Sequence, residues 1–553
     1  MAISVQSRFD VTISTEMRNN AAHVRIRPLL ALAAAAASMT VLVAAPPAGA
    51  KMLPGSPPFR VLVMDEIPSG MFARFAKAGA VGLLVPEIGP TTNRRQSLAE
   101  LERGAQVNAR LGGVPAGPRL LATSHATGFP TARDVVIVEL PPPGAPIRND
   151  RRYRIAVIGR GFHGLLTSKT TRIPGLVSIV DIAPTVLGRV TTSLGSEPFE
   201  RPLAYLARMD EQIHAENRLK FAALFIVAGA LALLGLLGLR AALTAIPAAL
   251  LTSLGLGVAH TTNEVAIVAV LTAGTIGGAL WLARACRGDS GLLALVLGTV
   301  GAYMVAFATH PDWAAITPLG PTQNQRFWGI GNQMETLLLA PMLVAAVLAR
   351  RLFGVAGFAG VALLGLFVMG DNRLGADGGG VIALGVALAF LGARLLRRGL
   401  VGLLISLGVA AVTALAIVLH GLNSPGPNHL RSAFSHGVRG LADVFVNRVP
   451  LAYAPAVHQW PLTLPLALAF LVSVALALRS ANRRIVRDVL FALGAAMVAS
   501  LVVNDSTAYI LAGGVACVGA LVRFQPEAGM VRVPLPALLR RQPAPAAEPV
   551  GRD

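Results

Sequence analysis

The sequence predicts an α-helical polytopic membrane protein of about eleven transmembrane helices, preceded by a small extracytoplasmic α/β domain. Three observations carry that expectation. The chain of 553 residues is 54% hydrophobic and only 14% charged, where a soluble domain carries about 25% charged residues, and its mean hydropathy is +0.63. Uncharged apolar runs long enough to cross a bilayer recur from Phe221 onward. The arginines between those runs fall in short clusters on alternate connections, which is the positive-inside arrangement.

Residues 1–50 read as a signal peptide or an uncleaved signal anchor. Arg18, Arg25 and Arg27 precede the apolar stretch Leu29–Ala45, and Ala48-Gly49-Ala50 supplies a small-x-small cleavage site. Asp10 and Glu16 are unusual there, and a start at Met17 would remove both.

Residues 51–218 differ in kind, mixing charge, proline and short β-type runs at 60–64, 134–138 and 154–158, with helical patterns around 70–80 and 97–111. Strands alternating with helices indicate an extracytoplasmic α/β domain on a mostly parallel sheet. It has no cysteine, since Cys286 and Cys517 both lie later, so disulfides do not hold it.

The membrane domain is expected over 219–523. Its candidate spans are 219–239, 242–260, 265–283, 290–309, 333–349, 352–369, 378–393, 399–420, 461–478, 488–503 and 506–522. Arg240, Arg284, Arg287, Arg350, Arg351, Arg394, Arg397, Arg398, Arg479, Arg483, Arg484, Arg487 and Arg523 then fall on the cytoplasmic side of a plasma (inner) membrane. Residues 524–553, with Pro-Ala repeats, form a disordered cytoplasmic tail. The net charge of +20 forms no continuous basic face, so nucleic acid is not an expected partner. No phosphate-binding glycine loop indicates direct ATP use.

On this topology the loops at 261–264, 310–332, 370–380, 421–460 and 504–507 share the outer side, and they concentrate the residues most costly to place near lipid. Two glycine-rich segments stand out: Arg326-Phe327-Trp328-Gly329-Ile330-Gly331-Asn332-Gln333-Met334-Glu335 and Asp371-Asn372-Arg373-Leu374-Gly375-Ala376-Asp377-Gly378-Gly379-Gly380. Irregular backbone at membrane depth is tolerated where it lines a cavity, so one outward-opening polar pocket is expected. Candidate catalytic groups are Glu335, Asp377, His429 and His436. Candidate substrate-binding groups are Arg326, Asn332, Asp371, Arg373, Arg431 and Asp505. No metal ligand set and no cofactor is expected.

The stretch Gly175–Leu187, containing Asp181-Ile182-Ala183-Pro184-Thr185, resembles a segment near the end of alkaline-phosphatase/sulfatase superfamily domains. Val61-Leu62-Val63-Met64-Asp65 is similar to that superfamily's first strand, which ends in a metal-binding Asp. The resemblance implies a shortened, degenerate relative of that fold. The family's two-metal ligand set is missing, because the domain holds only His125, His163 and His214, and Phe162-His163-Gly164 lacks the Asp of the family's Asp-His-Gly turn. An exported domain of this kind fused to many helices resembles the layout of lipid-anchor phosphoethanolamine transferases, an analogy of fold alone.

Three functions fit these features. The first is an envelope enzyme whose pocket takes a lipid-linked anionic glycan or a phospholipid for glycosyl or phospho-group transfer. The second is an ion-coupled transporter or flippase. The third is a non-catalytic partner of another envelope-assembly protein. Membrane lipids are expected partners in all three.

Overall fold

The computed structural model describes residues 59–86, 89, 91–104, 123–125, 134–188, 194–237, 240–321, 327–396, isolated positions between 402 and 413, 457, 459–481, 483–504 and 506–524. An α/β layer is built first. Its strands are β1 (Arg60–Met64), β2 (Ala80–Val85), β3 (Thr91–Thr92), β4 (Thr123–His125), β5 (Val135–Glu139), β6 (Ile147–Arg148), β7 (Tyr153–Ile158), β8 (Gly164–Thr167), β9 (Leu176–Ser178) and β10 (Gly195–Glu197). Helices α1 (Ser69–Ala78), α2 (Arg94–Arg103) and α3 (Ile182–Val186) pack on them. Asn93 starts α2 by accepting from the Gln96 amide at 2.8 Å, and Gly104 ends it in the left-handed region.

The main sheet runs β10-β8-β2-β7-β5-β1-β4, with β9 also paired to β2. The expected strands are present, and the sheet is mostly parallel, with six of its eight strands running one way and β7 and β10 reversed. β1 is parallel to β4 and β5, and β2 to β8 and β9, while β7 is antiparallel to both β5 and β2. The reason is local. No crossover helix lies between β5 and β7, only Leu140-Pro141-Pro142-Pro143-Gly144 and the short β6, so the chain turns back beside itself. One sheet face packs Val61, Val136, Val138 and Ile155 against Leu101 of α2 and Ile182 and Ala183 of α3. The other packs Val81, Val135 and Ile137 against Phe72 and Phe75 of α1.

That second face is closed by the membrane bundle. Helix α4 (Pro202–Leu236) is continuous from the α/β layer into the apolar region, and its Leu206, Met209 and Ile213 share a core with Ala315, Ile316 and Phe327. Then come α5 (Ala242–Val258), α6 (Glu264–Ala285), α7 (Gly288–Thr309), α8 (Pro311–Ala315), α9 (Asn332–Gly370), α10 (Gly378–Leu396), α11 (Trp460–Ser480), α12 (Arg484–Val503) and α13 (Thr507–Leu521).

Seven helices among the described residues are long and apolar enough to cross a membrane: α4, α6, α7, α9, α10, α11 and α12. The sequence expects more. Two of its spans, 333–349 and 352–369, are distinct segments of α9, which breaks at Gly354, where φ is 70°, and returns so that Gly365 comes against Met342. Two others, α5 and α13, are shorter apolar helices of 17 and 15 residues, each joining opposite faces of the bundle. The span expected at 399–420 lies largely outside the described residues.

Contacts sort the helix ends into two faces. At one, Arg523 donates to the Gly235 carbonyl, Arg351 pairs with Asp289, and Arg394 pairs with Asp488. At the other, Arg218 pairs with Glu264, Lys220 donates to the Thr317 and Gly320 carbonyls, and the loop joining α9 to α10 meets the ends of α9 and α12. The α/β layer sits on this second face.

Candidate functional site

Helix α9 begins at Asn332 after a backbone reversal at Gly329, whose φ is 69°. A Cβ at Gly329 would lie 1.9 Å from the Gly375 carbonyl oxygen, and that oxygen accepts from Ile330 N at 2.7 Å. The two glycine-rich segments therefore cross in direct backbone contact. This places Glu335, in the first turn of α9, beside the start of α10.

Asp377 caps α10. Its carbonyl accepts from Val381 N at 3.1 Å and its Oδ1 from Gly380 N at 3.2 Å. Its carboxyl meets that of Glu335. Gly380 leaves the room, since a Cβ there would stand 2.9 Å from Glu335 Cγ and 3.0 Å from Asp377 Oδ2. The third contributor is the C-terminal end of α12. Ser500 Oγ donates to Glu335 Oε1 at 3.1 Å, and Asn504 Nδ2 donates to Glu335 Oε2 at 2.8 Å and to Ser500 Oγ at 2.9 Å. Glu335 is fully buried, and Asp377, Ser500 and Asn504 are buried with it.

Above this cluster lies the loop from α9 to α10. Asp371 is buried, and its Oδ1 accepts from Arg373 N at 2.8 Å. Arg373 also lays its guanidinium on it, Nε to Oδ1 at 3.2 Å and Nη2 to Oδ2 at 3.3 Å, while 42% of the Arg373 side chain stays exposed. From the α/β layer, Arg172 donates to the Asn372 carbonyl. Burial pushes the Arg172 guanidinium below its ordinary range, Asp371 opposes that shift, and Arg373 adds to it.

The structure thus brings together Glu335, Asp377, Asp371 and Arg373 of the sequence-derived set, with Asn332 half-buried at the head of α9. Arg326, His429, Arg431, His436 and Asp505 lie outside the described residues. Glycines at 379 and 380 let the helix ends close on the acids, which are buried between α9, α10 and α12. Sequence reasoning missed Ser500, Asn504 and Arg172. The four-residue spacing of Ser500 and Asn504 at the end of an apolar run was a usable signal; Arg172 offered none.

A second buried polar group was also missed. Glu216 and Lys220, one helical turn apart on α4, are both buried, and Lys220 Nζ donates to the carbonyls of Thr317, at 3.4 Å, and Gly320. Nearby, Tyr205, Arg208, Gln212, His260 and Asp312 line a cavity where the α/β layer meets the bundle.

In the α/β layer, Asp65 is exposed and paired with Arg94. Asp181 is buried and accepts from Thr170 Oγ1 at 2.7 Å, Thr170 N at 3.2 Å and Ser168 Oγ. Thr185 Oγ1 donates to the Asp181 carbonyl at 2.7 Å. Asp181 thereby anchors the turn after β8. Among the described residues no three His, Cys, Asp or Glu side chains are placed to hold a metal ion. No family model, no curated protein and no solved structure matches the chain.

Proposed function

We propose that this chain is a cell-envelope protein of the plasma membrane whose acid-bearing face is extracytoplasmic and acts on a lipid-linked anionic glycan or a phospholipid. The observation that carries the reading is the convergence of Glu335 and Asp377 with Ser500 and Asn504, directly beneath the Asp371–Arg373 loop. Ionisable groups in a membrane bundle are costly and mark functional sites by default. Here two carboxyl groups share one hydrogen-bonded cluster, while a half-exposed guanidinium stands nearby at the α/β junction.

The division of labour follows from chemistry. Transfer of a sugar or phospho group from a lipid phosphate needs a stabilised anionic leaving group and a base for the accepting hydroxyl. Arg373 holds the anion, and Glu335 or Asp377 takes the hydroxyl proton. The degenerate phosphatase-like layer lends structure to the site rather than metal chemistry. The arginine-rich helix ends face the cytoplasm in this reading, as positive-inside statistics require.

The test is envelope-lipid profiling of a deletion strain by mass spectrometry. We expect a lipid-linked anionic precursor to accumulate, and the wild-type gene to clear it. Glu335→Gln and Asp377→Asn should fail to clear it while inserting at normal abundance. Clearance by both variants would overturn the proposal. A second reading, an ion-coupled flippase, is favoured by the complete burial of Glu335. It would show as the same lipid trapped in the inner leaflet instead of unmodified in the outer one.

A further inference from the structure

We propose that Arg172 and Arg373 form one anion site at the junction of the α/β layer and the bundle, and that it takes a phosphate-bearing ligand. The inference rests on reading the Asp371–Asp377 loop as part of the substrate site, and it extends that site into the α/β layer.

The argument begins with charge. Arg172 and Arg373 come from segments about 200 residues apart and meet on one loop, Arg172 at the Asn372 carbonyl and Arg373 on Asp371. Asp371 is already engaged by Arg373 through two side-chain hydrogen bonds and by the Arg373 amide. Arg373 is paired with Asp371, and the Glu335–Asp377 carboxyl pair lies below the loop in its own hydrogen bonds to Ser500 and Asn504. Arg172 donates to a neutral carbonyl, that of Asn372. Charges withdrawn from water are ordinarily balanced by counter-charge, and among the described residues Arg172 makes no ion pair, so its guanidinium is open to an anion.

Rigidity is the second part. Arg172 has a φ of 61°, a region few arginines occupy, so its backbone is held there by surrounding contacts. They are visible. Arg172 N donates to the Ser168 carbonyl at 2.9 Å, and Thr171 Oγ1 donates to the Leu176 carbonyl at 2.6 Å. Ser168 and Thr170 are in turn bound by Asp181. The stretch that resembles a phosphatase motif therefore serves to aim Arg172 at the membrane loop. Guanidinium forks fit phosphate oxygens in bidentate fashion, and Arg373 supplies the solvent-facing half of the site.

The experiment uses purified full-length protein in a neutral detergent. Three probes are titrated by calorimetry: inorganic phosphate, short-chain phosphatidic acid, and short-chain phosphatidylcholine as the zwitterionic control. We expect one or both anions to bind, with Arg172→Gln and Arg373→Gln each weakening binding at least tenfold. Arg172→Lys should fall between wild type and Arg172→Gln, and Arg284→Gln, at the opposite face, should bind as wild type does. Binding of phosphatidic acid alone assigns the phosphate to a lipid headgroup, and equal binding of inorganic phosphate assigns it to a free anion.

A measurement on wild type guards against misfolded variants. The bound anion should shield Arg172 from an arginine-specific dicarbonyl reagent, read by peptide mass spectrometry. Absence of anion binding, or unchanged affinity in a folded Arg172→Gln, would overturn the inference. If that happens while Glu335→Gln still fails in lipid profiling, this inference falls and the functional reading stands.

Discussion

Three consecutive glycines open α10, and the structure gives them different roles. A methyl group at Gly378, which is exposed, would meet nothing within 4 Å; at Gly379 it would lie 2.0 Å from Asn504 Oδ1. A carbon and an oxygen need about 3.4 Å, so Asn504 in Gly379→Ala must retreat by more than 1 Å. A retreat of that size breaks its 2.8 Å bond to Glu335 Oε2. Losing a bond to a buried carboxylate costs roughly 1.5–3 kcal/mol, and crowding of the helix ends adds about 1–3 kcal/mol. Gly378→Ala goes the other way, gaining up to about 1 kcal/mol of helix propensity in an unobstructed position. Thermal unfolding of the two variants in the same detergent should therefore rank Gly378→Ala at or above wild type and Gly379→Ala well below it. Asn504→Gly would relieve the clash without restoring the bond, so the double variant should recover part of the loss. Equal melting of Gly379→Ala and wild type would show that α10 and α12 do not approach as described.

Two further predictions concern groups outside that cluster. Burial raises the Asp181 carboxyl from 3.8 to about 6, against the bonds from Ser168 and Thr170 that pull it down. A raised folded value gives stability that is fully present below the unfolded value and lost as pH rises through the folded one. The α/β layer should therefore weaken by roughly 3 kcal/mol between pH 4 and pH 7 on this account. Hydrogen exchange of peptides over 164–188, corrected for intrinsic rates, should show that trend, and a flat profile would refute it. Lys220→Met should destabilise the bundle by about 1–3 kcal/mol because it removes the buried donor to the Thr317 and Gly320 carbonyls. In denaturant titrations Lys220→Met with Glu216→Gln should cost less than the sum of the two single changes, and strict additivity would mean the pair does not interact.

What the sequence reveals and what it hides divide along physical lines. Glu335, Asp371, Arg373 and Asp377 stand out because charge in an apolar chain is expensive, and the glycines around them mark backbone that must come close. Their meeting follows from topology plus those glycines. Ser500 and Asn504 are fainter, because an uncharged polar residue in a membrane helix carries a small penalty, and only their four-residue spacing marks a shared helix face. The direction of β7 was legible in principle, since three prolines and a glycine with no helix between β5 and β7 exclude a crossover. The span count differs from the seven long apolar helices because α5 and α13 are short, although each joins opposite faces of the bundle, and because two spans lie in one helical range broken at Gly354.

The role of Asp181 is defined by its contacts, which tie down a turn of the α/β layer. The stretch around it resembles a superfamily of metal-dependent hydrolases, and Asp65 occupies the place of that family's metal-binding residue. In the structure Asp65 is spent on Arg94 at the surface, and Asp181 ties down a turn. The hydrogen bonds of such a turn serve folding whatever chemistry the layer carries. Held in this way, it presents a fixed Arg172 to whatever packs against the layer. Here that is the loop carrying Asp371 and Arg373, so the turn tied by Asp181 is a point where the α/β layer meets the bundle.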